Sequence, residues 1–204
     1  HALINSLKRE KVDCVLVEYG PTACETLRVV DFLKLPIVVH FHGYDASERS
    51  VIEKFSGSYR KVFAYANAIV VVSVKMKQTL IELGCPSDKI TISHYGPNSD
   101  SLNNKPLYSE PQFVSVGRVV DKKAPYLTIA AFRKVVDAFP KAKLIMGGDG
   151  ELLGICKSLV KALDLSDNIE FKGALKKIEI LALFKESLAF VQHSIVAASG
   201  DSEG

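Results

Sequence analysis

Residues 113–123 read FVSVGRVVDKK, and this stretch decides the fold that the sequence predicts. Its apolar start and Gly117 are typical of a buried parallel strand that ends in a tight turn. Arg118, Lys122 and Lys123 then precede a helical pattern in residues 124–139. Because cations and a helix N-terminus both attract anions, we predict a diphosphate site at the carboxyl edge of a parallel sheet. A basic, solvated turn is the alternative.

Strand-like and helical runs alternate along the whole chain. Apolar runs of strand length occupy residues 12–19, 36–42, 68–73, 89–95, 113–118, 143–148, 168–172 and 188–193. Helical patterns occupy residues 22–33, 47–66, 74–83, 124–139, 151–163 and 176–186. This βαβα order predicts the α/β class, with parallel sheets covered by helices.

A sustained change in composition falls at residues 96–112, GPNSDSLNNKPLYSEPQ, which are rich in Pro, Asn and Ser. We interpret this segment as a linker between two Rossmann-like domains, residues 1–95 and 113–204, that face a cleft. The chain begins inside a helical pattern and stops after a strand, so we expect an internal fragment in which both domains are incomplete.

The composition is that of an ordinary soluble protein, with 48% hydrophobic and 24% charged residues and a formal net charge of +3. This charge suits phosphate-bearing ligands but is too small to indicate nucleic-acid binding. Four cysteines without metal-site spacing predict reduced thiols in a cytoplasmic protein. Residues 47–66 carry basic and aromatic side chains, which favours a solvated helix face but leaves lipid contact open.

Residues 37–45, IVVHFHGYD, predict a buried strand followed by a polar turn. His40 and His42 share strand parity, and His42 lies at the ligand edge of the sheet. A metal site would need more ligands than His42 and Asp45, so we predict none here. A histidine of the core or of a loop is the structural alternative.

Residues 143–154, KLIMGGDGELLG, predict a strand, a glycine-rich turn and a helix. Gly148 and Gly150 would give a nucleotide room beside the backbone. The same spacing partly matches a dinucleotide fingerprint, which leaves an NAD(P)-binding oxidoreductase open. Glu151 is either a ligand contact or a residue that compensates the helix dipole.

Residues 190–204, FVQHSIVAASGDSEG, place His193 after a strand and carboxylates in an acidic loop. Asp201 and Glu203 lack a third metal ligand, so a carboxylate that accepts hydrogen bonds from sugar hydroxyls is the preferred interpretation.

Taken in order, four motifs resemble the retaining glycosyltransferases of family four, which have the GT-B architecture. They are HGYD at 42–45, VGRVVDKKAPYLTIAAF at 116–132, GGDGE at 147–151 and SEG at 202–204. The flanking EYGPTA, FHGYDAS and GDSEG are most similar to the subgroup that makes colanic acid and related exopolysaccharides. The resemblance implies an N-terminal acceptor-side domain and a C-terminal domain that binds a nucleotide sugar.

The resemblance also implies residue roles. Arg118 and Lys123 would bind the donor diphosphate. Lys123 is preferred to Lys122, which we assign to solvent, because it precedes the usual glycine, here Ala124. His42 would approach the donor sugar.

Glu203 matches the first glutamate of the family's Glu-x7-Glu motif and would hold sugar hydroxyls. The predicted catalytic residues are therefore His42, Arg118, Lys123 and Glu203. The predicted donor-binding set contains Gly117, Arg118, Lys123, Gly148, Gly150, Glu151, His193 and Glu203.

The implied reaction is transfer of a hexosyl group, with retention, from a nucleotide-diphosphate sugar to a cell-surface polysaccharide or lipid-linked oligosaccharide precursor. No cofactor or metal is expected, because cationic side chains supply the positive charge. Peripheral contact with the inner face of the plasma membrane stays open. The alternatives are the oxidoreductase and a catalytically silent nucleotide-sugar-binding protein of the same fold.

Overall fold

The computed structural model describes residues 2–96, 105–107 and 111–203. The chain forms two compact units: His1–Gly96 with Val196–Gly204, and Pro97–Ile195. Most of the predicted linker, residues 96–112, lies outside the described residues, as does the last residue of the SEG motif. The predicted domain boundaries therefore stay a prediction.

The first unit is built on a four-stranded parallel sheet. Its strands are β1 (Val15–Glu18), β2 (Ile37–His40), β3 (Ala68–Val71) and β4 (Ile90–Ile92), in the spatial order β1-β2-β3-β4. The helices are α1 (Ala2–Arg9), α2 (Gly20–Leu33), α3 (Tyr44–Ser47), α4 (Arg49–Tyr65) and α5 (Val74–Glu82), with a 3-10 turn at Ser87–Lys89. In the register of β1 and β2, Glu18 lies opposite His40.

The core of the first unit forms where β2 meets the helices. Ile37, Val39 and Phe41 are fully buried, as the alternation along this strand predicts. Tyr59 and Phe63 of α4 pack against Phe41, and the rings of Phe41 and Tyr59 meet edge to face at 5.4 Å. The aromatic side chains of α4 thus face the core, which supports an ordinary amphipathic helix over a lipid-binding one.

The second unit contains another four-stranded parallel sheet. Its strands are β5 (Gln112–Val116), β6 (Lys143–Gly147), β7 (Ile169–Gly173) and β8 (Ala189–Phe190), in the order β7-β6-β5-β8. The helices are α6 (Pro125–Ala138), α7 (Leu153–Ala162) and α8 (Lys177–Glu186), with a 3-10 turn at Asp121–Lys123. The buried side chains of Ile129, Phe132, Leu144 and Leu165 form the centre of this core. The predicted α/β class with parallel sheets is confirmed.

Several predicted boundaries differ from the observed ones. The helix predicted at 47–66 is α4, which begins at Arg49 because Glu48 has an extended backbone that ends the preceding short helix α3 at Ser47. The helix predicted from residue 151 begins at Leu153, since the two residues before it form a turn. The strand predicted at 188–193 shortens to Ala189–Phe190.

All four cysteines are free thiols. Burial raises the pKa of Cys24 and of Cys85 to about 11, so both stay protonated near neutral pH. Among the described residues, no helix combines the length and apolarity needed to cross a membrane.

Candidate active site

The predicted catalytic residues fall into two groups on separate units. His42 and Glu203 belong to the first unit, and Arg118 and Lys123 belong to the second. Each group is described within its own unit.

Asp45 shapes the turn that carries His42. Its carboxylate is fully buried and accepts hydrogen bonds from the backbone N–H groups of His42 at 3.0 Å and Gly43 at 2.9 Å. The other oxygen accepts from the N–H of Gly20, at the start of α2, at 3.1 Å. Asp45 therefore stabilises the turn rather than offering a ligand at the surface.

His42 is held from both sides of its ring. Its Nδ1 hydrogen-bonds the hydroxyl of Tyr95, and its Nε2 pairs with the carboxylate of Glu18. The ring of Tyr19 packs against the imidazole with 4.5 Å between centroids. Glu18 and Tyr95 were not predicted from the sequence. The available signal was their position at the carboxyl ends of the runs at 12–19 and 89–95, which end at the same sheet edge as His42.

His40 lies beside this pair, as the shared strand parity predicts. Its Nδ1 is 3.3 Å from a carboxylate oxygen of Glu18, and its ring centroid is 4.0 Å from that of His42. Its Nε2 is buried and has no hydrogen-bond partner among the described residues. Burial, and next the charge of His42, lower the pKa of His40 below its ordinary value. The neutral imidazole is therefore the favoured form.

Glu203 is exposed on the segment Val196–Gly204, which packs on the first unit although the predicted C-terminal domain includes it. Within that unit it lines a small pocket together with Gly43, Ser47, Ser73, Lys75 and Ser202. Asp201 accepts a hydrogen bond from the Ser47 hydroxyl at 3.2 Å, and Lys75 donates to Ser202 Oγ at 3.3 Å. Asp201 thus anchors the segment, while Glu203 borders this small pocket, whose lining also includes Ala46 and Met76.

The turn after β5 is fastened to the turn after β6 by backbone hydrogen bonds. Gly117 N–H donates to the Gly147 carbonyl at 2.9 Å, and Val119 N–H donates to the Asp149 carbonyl at 2.9 Å. The N–H of Leu152 donates back to the Val119 carbonyl at 3.0 Å. These bonds fix the backbone next to Arg118, whose side chain is exposed.

Gly148 and Gly150 are explained by this packing. A Cβ atom at Gly148 would overlap the carbonyl oxygen of Gly117, and one at Gly150 would overlap that of Val119. The side of each glycine on which a side chain would lie is therefore filled by the chain's own backbone. Both glycines support the Gly117 turn, and their predicted contact with a nucleotide stays a prediction.

The N-terminus of α6 lies beside the Gly117 turn. Ala124 has φ of 40° and ψ of 52°, a left-handed conformation that glycine adopts more readily than alanine. Pro125 begins the helix, and no side chain of a described residue caps it. A shallow pocket at this point is lined by Ser115, Gly117, Arg118, Val119, Lys123, Pro125, Met146, Gly147 and Gln192.

The assignment of Lys122 to solvent is wrong. Lys122 is buried, with 9% of its surface exposed, whereas Lys123 is half-buried and lines the pocket. The 3-10 turn at Asp121–Lys123 rotates consecutive side chains to different sides, so one lysine enters the protein and the next faces the pocket.

His193 and Glu151 do not line this pocket. His193 is exposed and borders a separate groove beside Leu127, Ala131 and Val135 of α6. Gln192, which the sequence analysis missed, lines the Arg118 pocket and also borders that groove. Glu151 is exposed in the turn before α7.

Comparison with known proteins identifies the family of the chain. Residues 101–204 match the family model described as glycosyl transferases group 1, and residues 1–100 match the one described as glycosyltransferase family 4. The chain belongs to the group 1 glycosyltransferases. The resemblance to family four is thereby confirmed.

Curated relatives of this glycosyltransferase include proteins named for exopolysaccharide synthesis. It is 25% identical over 199 residues to the putative colanic acid biosynthesis glycosyltransferase WcaL of Escherichia coli strain K12, with 95% of this chain and 49% of the relative covered. It is 29% identical over 197 residues to the amylovoran biosynthesis glycosyltransferase AmsK of Erwinia amylovora, with 94% and 48% covered. The chain thus spans about half the length of these relatives.

Solved structures share the fold of this glycosyltransferase. Anabaena HepE, crystallised with UDP-glucose, aligns with a TM-score of 0.78 at 14% identity, over 95% of this chain and 56% of that chain. The predicted GT-B fold class is confirmed by such neighbours and by the two parallel sheets.

Proposed function

We propose that the protein containing this chain transfers a hexosyl group, with retention, from a nucleotide-diphosphate sugar. The proposed acceptor is a cell-surface polysaccharide or lipid-linked oligosaccharide precursor. Family membership supports glycosyl transfer, and the names of WcaL and AmsK support an exopolysaccharide product. The complex of HepE with UDP-glucose supports a nucleotide-sugar donor.

The observation that carries the proposal is the Gly117 turn at the N-terminus of α6. Arg118 is exposed there, Lys123 lines the same pocket, and α6 is 14 residues long. A helix of this length presents partial positive charge and free N–H groups at its start, next to two cationic side chains. This combination suits the diphosphate of a donor.

The proposed chemistry follows from these charges. Breaking the bond between the sugar and the diphosphate moves negative charge onto the leaving phosphate oxygen. Arg118 can donate a forked pair of hydrogen bonds to phosphate, while Lys123 supplies a compact charge. Groups that are fixed before the reaction stabilise this developing charge without reorganisation, and they therefore lower the barrier.

Retention is proposed to follow front-face attack, in which a donor phosphate oxygen assists deprotonation of the acceptor hydroxyl. His42 is assigned to the donor sugar and Glu203 to sugar hydroxyls. Gly117 remains in the proposed donor-binding set because it lets the backbone come close to the donor. Gly148 and Gly150 remain in this set and also support the Gly117 turn. No metal or cofactor is assigned to the transfer step, and peripheral contact with the inner membrane face belongs to the same proposal.

Family membership favours glycosyl transfer over the oxidoreductase alternative. The alternative of a catalytically silent nucleotide-sugar-binding protein is tested by measuring turnover of the full-length protein.

The test incubates the full-length protein with a panel of UDP- and GDP-sugars and cell-envelope acceptors, with mass spectrometry of the products. NMR of the anomeric proton of the product, compared with that of the donor, reports retention. We expect one donor to yield an elongated acceptor with the donor's anomeric configuration. Binding of a nucleotide sugar without any product would sink the enzyme proposal, and an inverted product would sink retention alone.

A further inference from the structure

Three side chains with metal-binding atoms meet at the carboxyl edge of the first sheet. A carboxylate oxygen of Glu18 and one ring nitrogen each of His40 and His42 all lie within 4.8 Å of one another. We call these residues the His-His-Glu cluster. Glu18 is 49% exposed at its side chain and each histidine 19%, so the cluster is partly buried but open to solvent.

We propose that the His-His-Glu cluster binds a divalent transition-metal ion, with Zn²⁺ as the favoured ion. Two imidazole nitrogens and one carboxylate oxygen form a donor set that suits zinc better than magnesium or calcium, which prefer oxygen ligands. Three protein ligands leave a fourth tetrahedral position for water or another molecule.

The fold positions the three ligands before any ion arrives. Glu18 and His40 are register partners on adjacent strands, so their side chains leave the sheet edge together. The backbone of His42 is fixed by Asp45, and its Nδ1 bonds the hydroxyl of Tyr95, which leaves Nε2 directed at Glu18. A hydrogen bond to the second ring nitrogen is the usual support of a metal-binding histidine.

The two histidines are not equivalent ligands. The Nδ1 atom of His40 faces Glu18, whereas its Nε2 is buried with no hydrogen-bond partner among the described residues. Metal binding at Nδ1 would leave the N–H at Nε2 unsatisfied, which costs free energy. We therefore expect weaker binding than in closed structural zinc sites.

Occupation of the cluster has a consequence for transfer that rests on the proposed function. A zinc ion on Nε2 of His42 would occupy the imidazole that is assigned to the donor sugar. Zinc should therefore inhibit transfer, and removal of zinc should restore it. This would make the cluster a regulatory site, separate from the diphosphate pocket on the second unit.

Binding is tested on the full-length protein without donor or acceptor. Calorimetric titration with Zn²⁺ should give an enthalpy change that Glu18→Gln and His40→Ala each weaken by at least about tenfold in Kd. The matched control is His94→Gln, because His94 is exposed and its Nδ1 bonds the Val72 carbonyl at 2.9 Å. Circular dichroism confirms that each variant is folded, and the near-isosteric Glu18→Gln keeps the test valid if His40→Ala unfolds.

Cobalt substitution identifies the ligands independently. A Co²⁺ spectrum with visible absorption but no sulfur-to-cobalt charge-transfer band supports nitrogen and oxygen ligands. A charge-transfer band would place the ion on a cysteine and overturn the proposal, as would unchanged zinc affinity in Glu18→Gln. Transfer assays with and without Zn²⁺ come last. If zinc binds at the cluster but transfer continues, the metal site stands and its inhibitory role, together with the assignment of His42, fails.

Discussion

The buried carboxylate of Asp45 accepts hydrogen bonds from three backbone N–H groups. The position of His42 depends on this carboxylate. Replacing Asp45 with Ala removes the acceptors of all three, and we expect a loss of about 2–4 kcal/mol in the free energy of unfolding. Asp45→Asn keeps one carbonyl oxygen and should lose less. Urea denaturation of the three proteins measures both effects. Equal stability of Asp45→Ala and wild type would contradict the role given to this carboxylate.

Arg118 and Lys123 are expected to act on the transition state more than on donor binding. Lys123→Ala in the full-length protein should lower kcat by roughly 10²–10³-fold with a smaller change in KM, because the interaction strengthens as charge moves onto the leaving group. Arg118→Ala should behave similarly. Steady-state kinetics with the identified donor measures these changes.

Lys134→Ala is the control for this series, because Lys134 is exposed on α6, the helix that begins at the diphosphate pocket. It should leave kcat within about twofold of wild type. The neighbouring Lys122 is unsuitable, since it is buried. If Lys134→Ala proved as damaging as Lys123→Ala, the loss would reflect general instability and not the diphosphate contact.

Protonation of His40 makes the free energy of unfolding depend on pH. Burial is the largest cause that lowers its pKa in the folded state, followed by the charge of His42, while Glu18 and Asp45 oppose the shift. The unfolded chain therefore takes up the proton more readily, and stability is lost as pH falls below about 6.5.

Between about pH 7 and pH 5, wild type should thus lose more stability than His40→Gln. Urea denaturation at each pH in the presence of EDTA measures the difference, with His94→Gln as the control. Parallel pH curves for wild type and His40→Gln would show that the shift has no effect on folding.

At the scale of the element, the C-terminus of α4 is stabilised by a lysine from a distant turn. The Nζ of Lys89 donates to the carbonyl oxygens of Phe63, Ala64 and Ala66 at 2.8–2.9 Å. These are carbonyl groups at the end of the helix, where a cation is favourable.

Replacing Lys89 with Met keeps the apolar stem and removes the charge and three hydrogen bonds. We expect a loss of about 1–3 kcal/mol in the free energy of unfolding. Lys61→Met, on the exposed face of α4, should change stability by less than about 0.5 kcal/mol. Thermal and urea unfolding distinguish the two variants, and equal effects would show that the Lys89 contacts are not stabilising.

Strands and helices could be predicted because their signals are local. The apolar run at 37–42 buries Ile37, Val39 and Phe41 in one core, and the run at 113–118 gives the strand that leads into the Gly117 turn. Their ends were less predictable, since Glu48 and the turn before Leu153 depend on local backbone geometry that composition does not specify.

The candidate site was predicted only in part, because side chains from separate strands meet through sheet order and register. Glu18 became a neighbour of His42 once β1 paired with β2. The burial of Lys122 follows from one 3-10 turn, and the role of Gly148 follows from a contact with a carbonyl 31 residues earlier in sequence. Neither has a local signal that sequence patterns can detect.

At the scale of the whole molecule, a nucleoside diphosphate should stabilise the full-length protein. A ligand that binds only the folded state adds about 2.7 kcal/mol when present at 100 times its Kd, so UDP or GDP should raise Tm. NAD⁺ at the same concentration is the control. A Tm increase with NAD⁺ and none with UDP or GDP would contradict the donor assignment.

The same protein should keep its transfer activity in EDTA, because Arg118 and Lys123 are assigned the positive charge at the diphosphate. Activity is measured after dialysis against EDTA and again after addition of Mg²⁺ or Mn²⁺. A strict requirement for either ion would show that the two side chains do not suffice for the leaving group.

The return of the segment Val196–Gly204 to the first unit has a consequence for biosynthesis. Arg49 N–H donates to the Ser199 carbonyl at 2.9 Å, and the Ser47 hydroxyl donates to the Asp201 carboxylate. The hydrogen-bond partners of these two residues thus lie about 150 positions later in the sequence. During translation the second unit must leave the ribosome before these contacts form, although domains generally fold in order of synthesis. The small pocket that Glu203 lines therefore forms only after the second unit has been synthesised, and a nascent chain arrested before residue 196 would display the first sheet without this pocket.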